Sequence, residues 1–510
     1  MLKMILSQSG GIVITNDGNA ILREVNVAHP AAKSMIDLSR SQDEEVGDGT
    51  TSVIILAGEI LSMSEPWIEK KMHPRIIIGA YMRAMNDALE HLKAISKPID
   101  YKNDAEVKVV LKSCLGTKFT NTWSDKMVDL ALQAVRMITV DENGRREVDI
   151  KRYCKVEKIP GGEVLDSCVI PGVVIEKDVT HSKMRRKIVN PRIILLDCNL
   201  EFKKSQNTIN HKISQAPDFE KIMKLEEEQV KQVVMDIIKW KPDVVITEKG
   251  LSDEAQHWFV KHNVTALRRV RKTINDRIAK ACGATIVNRP DQIKETDVGT
   301  KCGLFEIKKI GDEYWTYITD CKDPKASTIV LRGGSKDTLA EFERNLTDAV
   351  SVARNIIYDP RMCPGGGATE MALSTKLMEK SKSIAGIEQY PYQSVAIALE
   401  VIPRTLIQNC GADIVRTITA LRAKHASSSS NFNWGIDGEK GVLVDMVGID
   451  KAKGTLVGVW EPYLVKVQTI KTAIEASCML LRIDDIVSGL HKKDKGGSGP
   501  QQVGGGDDEA

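Results

Sequence analysis

The hydrophobic period of this 510-residue chain changes twice, and those two changes constrain its fold more than any single motif. From HPAAKSMIDL to HLKAI, ending near Lys97-Pro98, apolar residues recur at helical spacing, with Met35, Leu38, Val53, Leu56 and Ile60 on the stripe. Around VEKIPGGEV (156–164) that period gives way to short β-rich runs such as RIILLD and DVVITEKG, alternating with helical stretches to about residue 325. After STIVLRGG the helical period returns and persists to about residue 490. The middle therefore predicts a separate α/β domain, and the length suits roughly three domains. Whether the two helical ends pack on each other is open from periodicity alone.

Smaller features fill in this frame. GGIVITNDGNAILREV alternates apolar residues on both sides of Asn16-Asp17-Gly18, which predicts a β-hairpin turning at those three residues. Residues 201–230 form a polar insertion leading into a charged helix, and KKDKGGSGPQQVGGGDDEA reads as a disordered Gly-rich tail.

Composition excludes several classes. With a net charge of +3, nothing in bulk calls for nucleic acid or a membrane surface, and the apolar runs fall well short of a span. MLKMILSQSGG is too short in its apolar core for a secretory leader. The ten cysteines are scattered singly without a C-x-x-C pair, which fits reduced thiols in the cytosol and weakens disulfide and zinc readings. No G-x-S-x-G elbow or paired-histidine ligand spacing appears, so nucleophilic hydrolysis and metal-site catalysis lack a basis in sequence.

The stretch EEVGDGTT (44–51) sits at a loop-to-helix junction. Helix N-termini carry unpaired N–H groups and a positive dipole end, and flanking glycines let backbone approach an anion closely. Asp48 could hold Mg²⁺, with Thr50 and Thr51 adding hydroxyls. The plainer alternative is a capped helix behind a shaped turn. Asp17 reads by default as a turn residue. Asp348 falls off the apolar stripe of DTLAEFERNLTDAVSVARNII, with Arg344 four residues before it, and reads as a solvated carboxylate in a weak ion pair. CPGGGA (363–368) is either a second phosphate approach or a flexible connection. The basic clusters SKMRRK (182–187) and LRRVRK (267–272) contain no aromatic platform, and read as solvated faces rather than a nucleic-acid surface.

Taken together, TNDG, GDGTTS about thirty residues later, a distant PGGGA, VEKIPGG and RRVRKTINDRIAKACGA resemble the eukaryotic cytosolic chaperonin (t-complex, TRiC) family. VTHSKMRRKIVNPRIILLD and LLRIDDIVSG are most like its gamma-type branch. The resemblance covers residues 1–490 and implies a multi-domain α/β chaperonin fold. It divides the chain into a discontinuous helical equatorial ATPase domain (1–98 and 356–490), an intermediate domain (99–158 and 326–355) and an α/β apical domain (159–325). A helical lid protrusion is expected near 201–230, and residues 491–510 form the tail.

The resemblance further implies ATP and Mg²⁺ as cofactors. Asp48 matches the metal-binding aspartate, and Gly49, Thr50, Thr51 and Ser52 match the phosphate loop. Asp17 matches an acid of the hydrolytic site, and Asp348 the acid that positions the attacking water. Thr117, Lys118, Gly366, Gly438, Glu461 and Lys466 match nucleotide-contact positions. The implied partners are paralogous subunits in a hetero-oligomeric double ring and non-native polypeptides such as actin and tubulin. The alternatives are a nucleic-acid-dependent ATPase, or a ring component whose ATPase is impaired. The latter arises because the family's first nucleotide loop, with its Leu-Gly-Pro, is expected before MLKMIL and is absent from this sequence. The link from VDM to Glu461-Pro462 is also longer than the family's, and Asp437 stands where relatives often have Asn.

Overall fold

The computed structural model describes residues 2–6, 10–116, 118–142, 144–202, 216–450 and 455–487. The expected tail at 491–510 lies outside them, as do residues 203–215 of the polar insertion, where the lid protrusion is expected. The charged helix after the insertion is Ala216–Ile238.

Strands β1 (Lys3–Leu6) and β2 (Ile12–Thr15) pair antiparallel. Helices α1 (Gly18–Glu24), α2 (Pro30–Val46), α3 (Thr50–Glu69) and α4 (Pro74–Ile95) follow. The expected hairpin turn at Asn16-Asp17-Gly18 is not there. Asp17 instead caps α1, its carboxylate accepting from Asn19 and Ala20 N–H at 3.3 and 3.0 Å. Such a cap satisfies helix donors that nothing else reaches, so NAILRE winds into a helix despite its alternating look. Two His-Pro pairs open α2 and α4 in the same way. His29 and His73 each accept a backbone N–H through Nδ1, and the proline sits in the first turn, where its missing donor costs nothing.

The two helical ends of the chain share one core. Leu56, Ile60, Tyr81 and Leu92 pack with Leu373, Tyr392, Ile470 and Ile474, from the helices Ala368–Ser381, Gln389–Leu399 and Tyr463–Leu480. Each such aliphatic side chain taken fully out of water stabilises by about 1.5–3 kcal/mol. A second core joins helices α5 (Asp104–Leu115) and α6 (Ser124–Ile138) to the long helix Lys336–Tyr358, with Leu111, Leu115 and Val135 against Phe342, Leu346 and Ile356.

The middle of the chain holds a four-stranded parallel sheet in the order Thr265–Leu267, Val244–Thr247, Ile193–Leu196, Ile286–Val287. Alternate residues face opposite ways along a strand. Ile193 and Leu195 accordingly join one core and Ile194 and Leu196 another, which is why RIILLD reads as a continuous apolar run. An antiparallel sheet built around the hairpin Leu304–Ile310 and Glu313–Thr319 covers one side. The link before Glu461 carries a small hairpin of Gly448–Asp450 with Thr455–Val457.

Candidate nucleotide site

GDGTT forms the hinge between α2 and α3. Gly47 and Gly49 both take left-handed backbone, at φ +71° and +76°, which glycine alone adopts without strain. Asp48 between them is half-buried, its carboxylate accepting from Gly49 N–H at 2.8 Å. Gln42, buried in the last turns of α2, fixes the loop from beneath by donating to Asp48 O and Thr469 Oγ1, each at 3.0 Å. No side chain caps the N-terminus of α3, so its first-turn N–H groups at Thr50, Thr51 and Ser52 remain available to an anion. A Cβ on Gly18 would strike the Thr51 hydroxyl, so the start of α1 lies against the start of α3. That contact brings Asp17 beside the loop.

Asp348 reaches the same place from the other core. It is buried, 9% exposed, in the middle of Lys336–Tyr358, and its partner is Lys118 from the turn after α5, not Arg344. Arg344 pairs with Glu341 and donates to Ile14 O at 3.1 Å. The solvated-face expectation for Asp348 therefore fails. The apolar stripe of this helix contacts one core, while α2 and β2 cover the opposite face that periodicity assigned to solvent. Asn355 Nδ2 donates to Val46 O at 2.8 Å and Arg354 donates to Glu45 O, so the helix is docked on the end of α2. A Cβ on Gly47 would lie 2.8 Å from Ser351 Oγ and 3.8 Å from Asp348 Cα.

The result is a cleft of about 540 Å³ in which Asp17, Asp48, Thr50, Thr51, Lys118 and Asp348 meet. Burial pushes the Asp348 carboxyl up to about 7; Lys118 opposes that rise, and the charges of Asp17 and Asp48 add to it. Asp43, whose Oδ2 accepts from Asn19 at 2.6 Å, is raised by burial and by the charge of Asp17. Several carboxylates thus crowd around few cations, an arrangement that suits a bound cation and a polyanion together.

A family profile described as the TCP-1/cpn60 chaperonin family matches residues 1–490. The chain belongs to that family. The gamma subunit of T-complex protein 1 from Xenopus laevis is 60% identical over 494 residues, spanning 97% of this chain and 88% of the frog protein. The Homo sapiens gamma subunit is 58% identical over 493 residues, spanning 97% of this chain and 89% of its own length. The Schizosaccharomyces pombe gamma subunit is 57% identical over 492 residues, with 96% and 91% covered. Among solved structures, the open-state monomer of a group II chaperonin from Methanococcoides burtonii superposes with a TM-score of 0.64 at 34% identity. It covers 86% of this chain and 100% of its own. This is the multi-domain α/β chaperonin fold expected from the sequence.

The remaining expected positions of the chaperonin chain are distributed unevenly. Gly49 and Ser52 belong to the loop and the first turn of α3, whereas Thr117 lies outside the described residues. Gly366 takes φ +63°, and its carbonyl accepts from Ile436 N–H at 2.9 Å, tying the PGGGA loop to the strand Trp434–Ile436. Gly438 has open space around its Cα, and its carbonyl lies 3.2 Å from Cys410 Sγ, next to Asn409 on the cleft wall. Glu461 and Lys466 do not line the cleft. Lys466 is buried and bonds Glu370 at 2.6 Å and Glu461 at 2.7 Å, while a Cβ on Gly365 would sit 3.2 Å from Glu461 Oε1.

Two residues of this cleft are not among the positions expected from sequence. Asn409 lines the cleft from the turn that ends Val401–Asn409, and Gln42 supports it from inside a helix. The polar turn NCGAD is the one local signal that could have found the first, and nothing in SQDEEV marks the second. The basic run 182–187 is largely spent on acids, with Arg185 on Asp243 at 2.9 Å, Arg186 on Asp178 at 2.8 Å and Lys187 on Glu306 at 3.3 Å. No helix among the described residues is long and apolar enough to cross a membrane.

Proposed function

We propose that this chaperonin chain binds Mg²⁺–ATP in the cleft between the GDGTT loop and the helix Lys336–Tyr358, and hydrolyses it to ADP and phosphate. Asp48 would hold the magnesium, and the first-turn amides of α3 with Thr50 and Thr51 would hold phosphate oxygens. Asp17 and Asp348 would orient the attacking water. The bound metal would neutralise charge developing on the transferred phosphoryl group. The observation that carries this reading is the convergence of Asp348 with Asp17, Asp48 and Lys118 in one cleft. It makes the site complete only while that helix is docked, which couples hydrolysis to closure of the chain about its other domains.

The full function would be an ATP-driven cytosolic folding subunit working among paralogous subunits of a hetero-oligomeric double ring, on non-native polypeptides with actin and tubulin among them. The test compares two variants in the assembled complex. Asp348→Ala keeps nucleotide binding and loses hydrolysis, because it orients water, whereas Asp48→Ala also weakens Mg²⁺-dependent binding. Equal binding losses in the two variants would refute this division of roles.

A further inference from the structure

Three of the scattered cysteines meet in the interior of the middle domain. Cys282 is the last residue of the helix Lys272–Cys282, Cys302 precedes the strand Leu304–Ile310, and Cys321 follows the strand Glu313–Thr319. The antiparallel register pairs Leu304 with Thr319, so Cys302 and Cys321 leave the same end of one hairpin. Lys301 N–H donates to Cys282 O at 3.2 Å, and Lys322 N–H to Lys301 O at 2.8 Å, which ties the helix end to that hairpin. Side-chain packing adds a second constraint, since a Cβ on Gly299 would lie 3.0 Å from Cys282 Cβ. All three sulfurs lie within 4.8 Å of one another, and the residues are 0%, 1% and 8% exposed. All three are free thiols.

We propose that Cys282, Cys302 and Cys321 form a tri-thiolate site for copper(I). An ion with metal–sulfur bonds of about 2.3 Å at the centre of three sulfurs needs them about 4.0 Å apart, which the cluster accommodates. The donor set then selects the ion. Soft thiolates favour Cu(I), Zn²⁺ and iron–sulfur clusters. Structural zinc takes four ligands and iron–sulfur clusters take four cysteines. Among the described residues no histidine, aspartate or glutamate joins the three cysteines, and their burial leaves little room for water to complete a fourth position. A monovalent soft ion content with three sulfurs is what remains. The Cys302 thiol donates to Leu304 O at 3.4 Å and to Thr319 O at 3.5 Å, which aims its sulfur along the hairpin end. Binding would displace the three thiol protons to solvent.

The test uses the full chain, reduced and under anaerobic conditions, titrated with Cu(I) in competition with bicinchoninate. The chain should hold one equivalent against the chelator, and copper-edge absorption should report three sulfur neighbours. Losing even an outer-shell partner costs a metal site 10–100-fold, so Cys302→Ser and Cys302→Ala should each weaken that equivalent by roughly 100-fold or more. Cys478→Ser, which removes a buried thiol from a different core, should retain it. The absorption measurement on the unaltered chain stands even if a variant misfolds. A chain that yields its copper as readily as Cys302→Ala overturns the proposal. So does copper bound by two sulfurs, or a Cys302–Cys321 disulfide recovered under the same reducing conditions.

Discussion

Lys118 and Asp348, 230 residues apart in sequence, form a buried ion pair that spans the two halves of the candidate site. Each comes from an element of the second core, yet their charges meet beside the loop of the first. Burial disfavours the Asp348 carboxylate and the neighbouring Asp17 and Asp48 disfavour it further. Lys118 holds it in check, and the carboxyl ends at about 7. Such a group changes charge within the physiological range, where small shifts in its surroundings alter how much of it is ionised.

A water-orienting carboxylate must be ionised, so turnover at saturating Mg²⁺–ATP should fall as pH drops through about 7. The sign for Lys118→Met follows from the same pair. Removing the ammonium removes the charge that favours the carboxylate, the Asp348 carboxyl rises further, and the acid limb moves to higher pH. Turnover measured between about pH 5.5 and 8.5 checks this. A limb that stays in place, or moves to lower pH, would show that another group controls it.

Gly47 sets how closely the helix of Asp348 can approach the loop. At φ +71° an alanine costs about 1–2 kcal/mol in backbone strain, and its Cβ would press into Ser351. Gly47→Ala should therefore slow hydrolysis at least about 10-fold while leaving nucleotide affinity nearly unchanged, because the helix is held off rather than the phosphate loop. Ser351→Gly makes room, and the double variant should recover part of the rate. Additive losses in the double-mutant cycle would mean that the contact with Ser351 is not the cause.

Asn409 lines the cleft from the end of the helix Val401–Asn409, and the next residue, Cys410, lies against Gly438. A contact made equally in ground and transition states changes KM and spares kcat. Loss of one neutral hydrogen bond is about 1 kcal/mol, so Asn409→Ala should raise the KM for ATP about 5-fold at unchanged kcat. A fall in kcat with constant KM would assign Asn409 to the reacting end instead.

How much of this was readable in advance depends on the range over which each signal acts. The helices with one apolar stripe and a local cap, such as α2 and α4, and the buried strand Ile193–Leu196, carry their pattern within a dozen residues. Asp17 caps a helix instead of turning a hairpin because Asn-Asp-Gly suits both equally, and the choice falls to the residues after it. Asp348 is buried against its local pattern because a second burying surface, from α2 and β2, comes from over three hundred residues away. The three-cysteine cluster is invisible for the same reason: its members sit on separate elements, and only the hairpin register and the helix end bring them together. Long-range placement in this chain became legible only through the joint motif set TNDG, GDGTTS and PGGGA.

Lys466 separates a structural role from a nucleotide-binding one. Its ammonium is buried between Glu370 and Glu461, where burial opposes its charge and the two carboxylates restore it; the carboxyl of Glu461 is itself raised by burial. Lys466→Met leaves two carboxylates facing each other without a cation, and breaking a buried pair in this way costs about 3–5 kcal/mol. The chain should unfold at a distinctly lower temperature. Glu461→Gln keeps Lys466 balanced by Glu370 and should cost under about 1 kcal/mol, and added to Lys466→Met it should return part of the lost stability. Thermal unfolding of the three variants measures this directly. If Lys466→Met instead weakens ATP binding while the unfolding temperature stays put, the lysine acts on the nucleotide and the ionic triad is incidental.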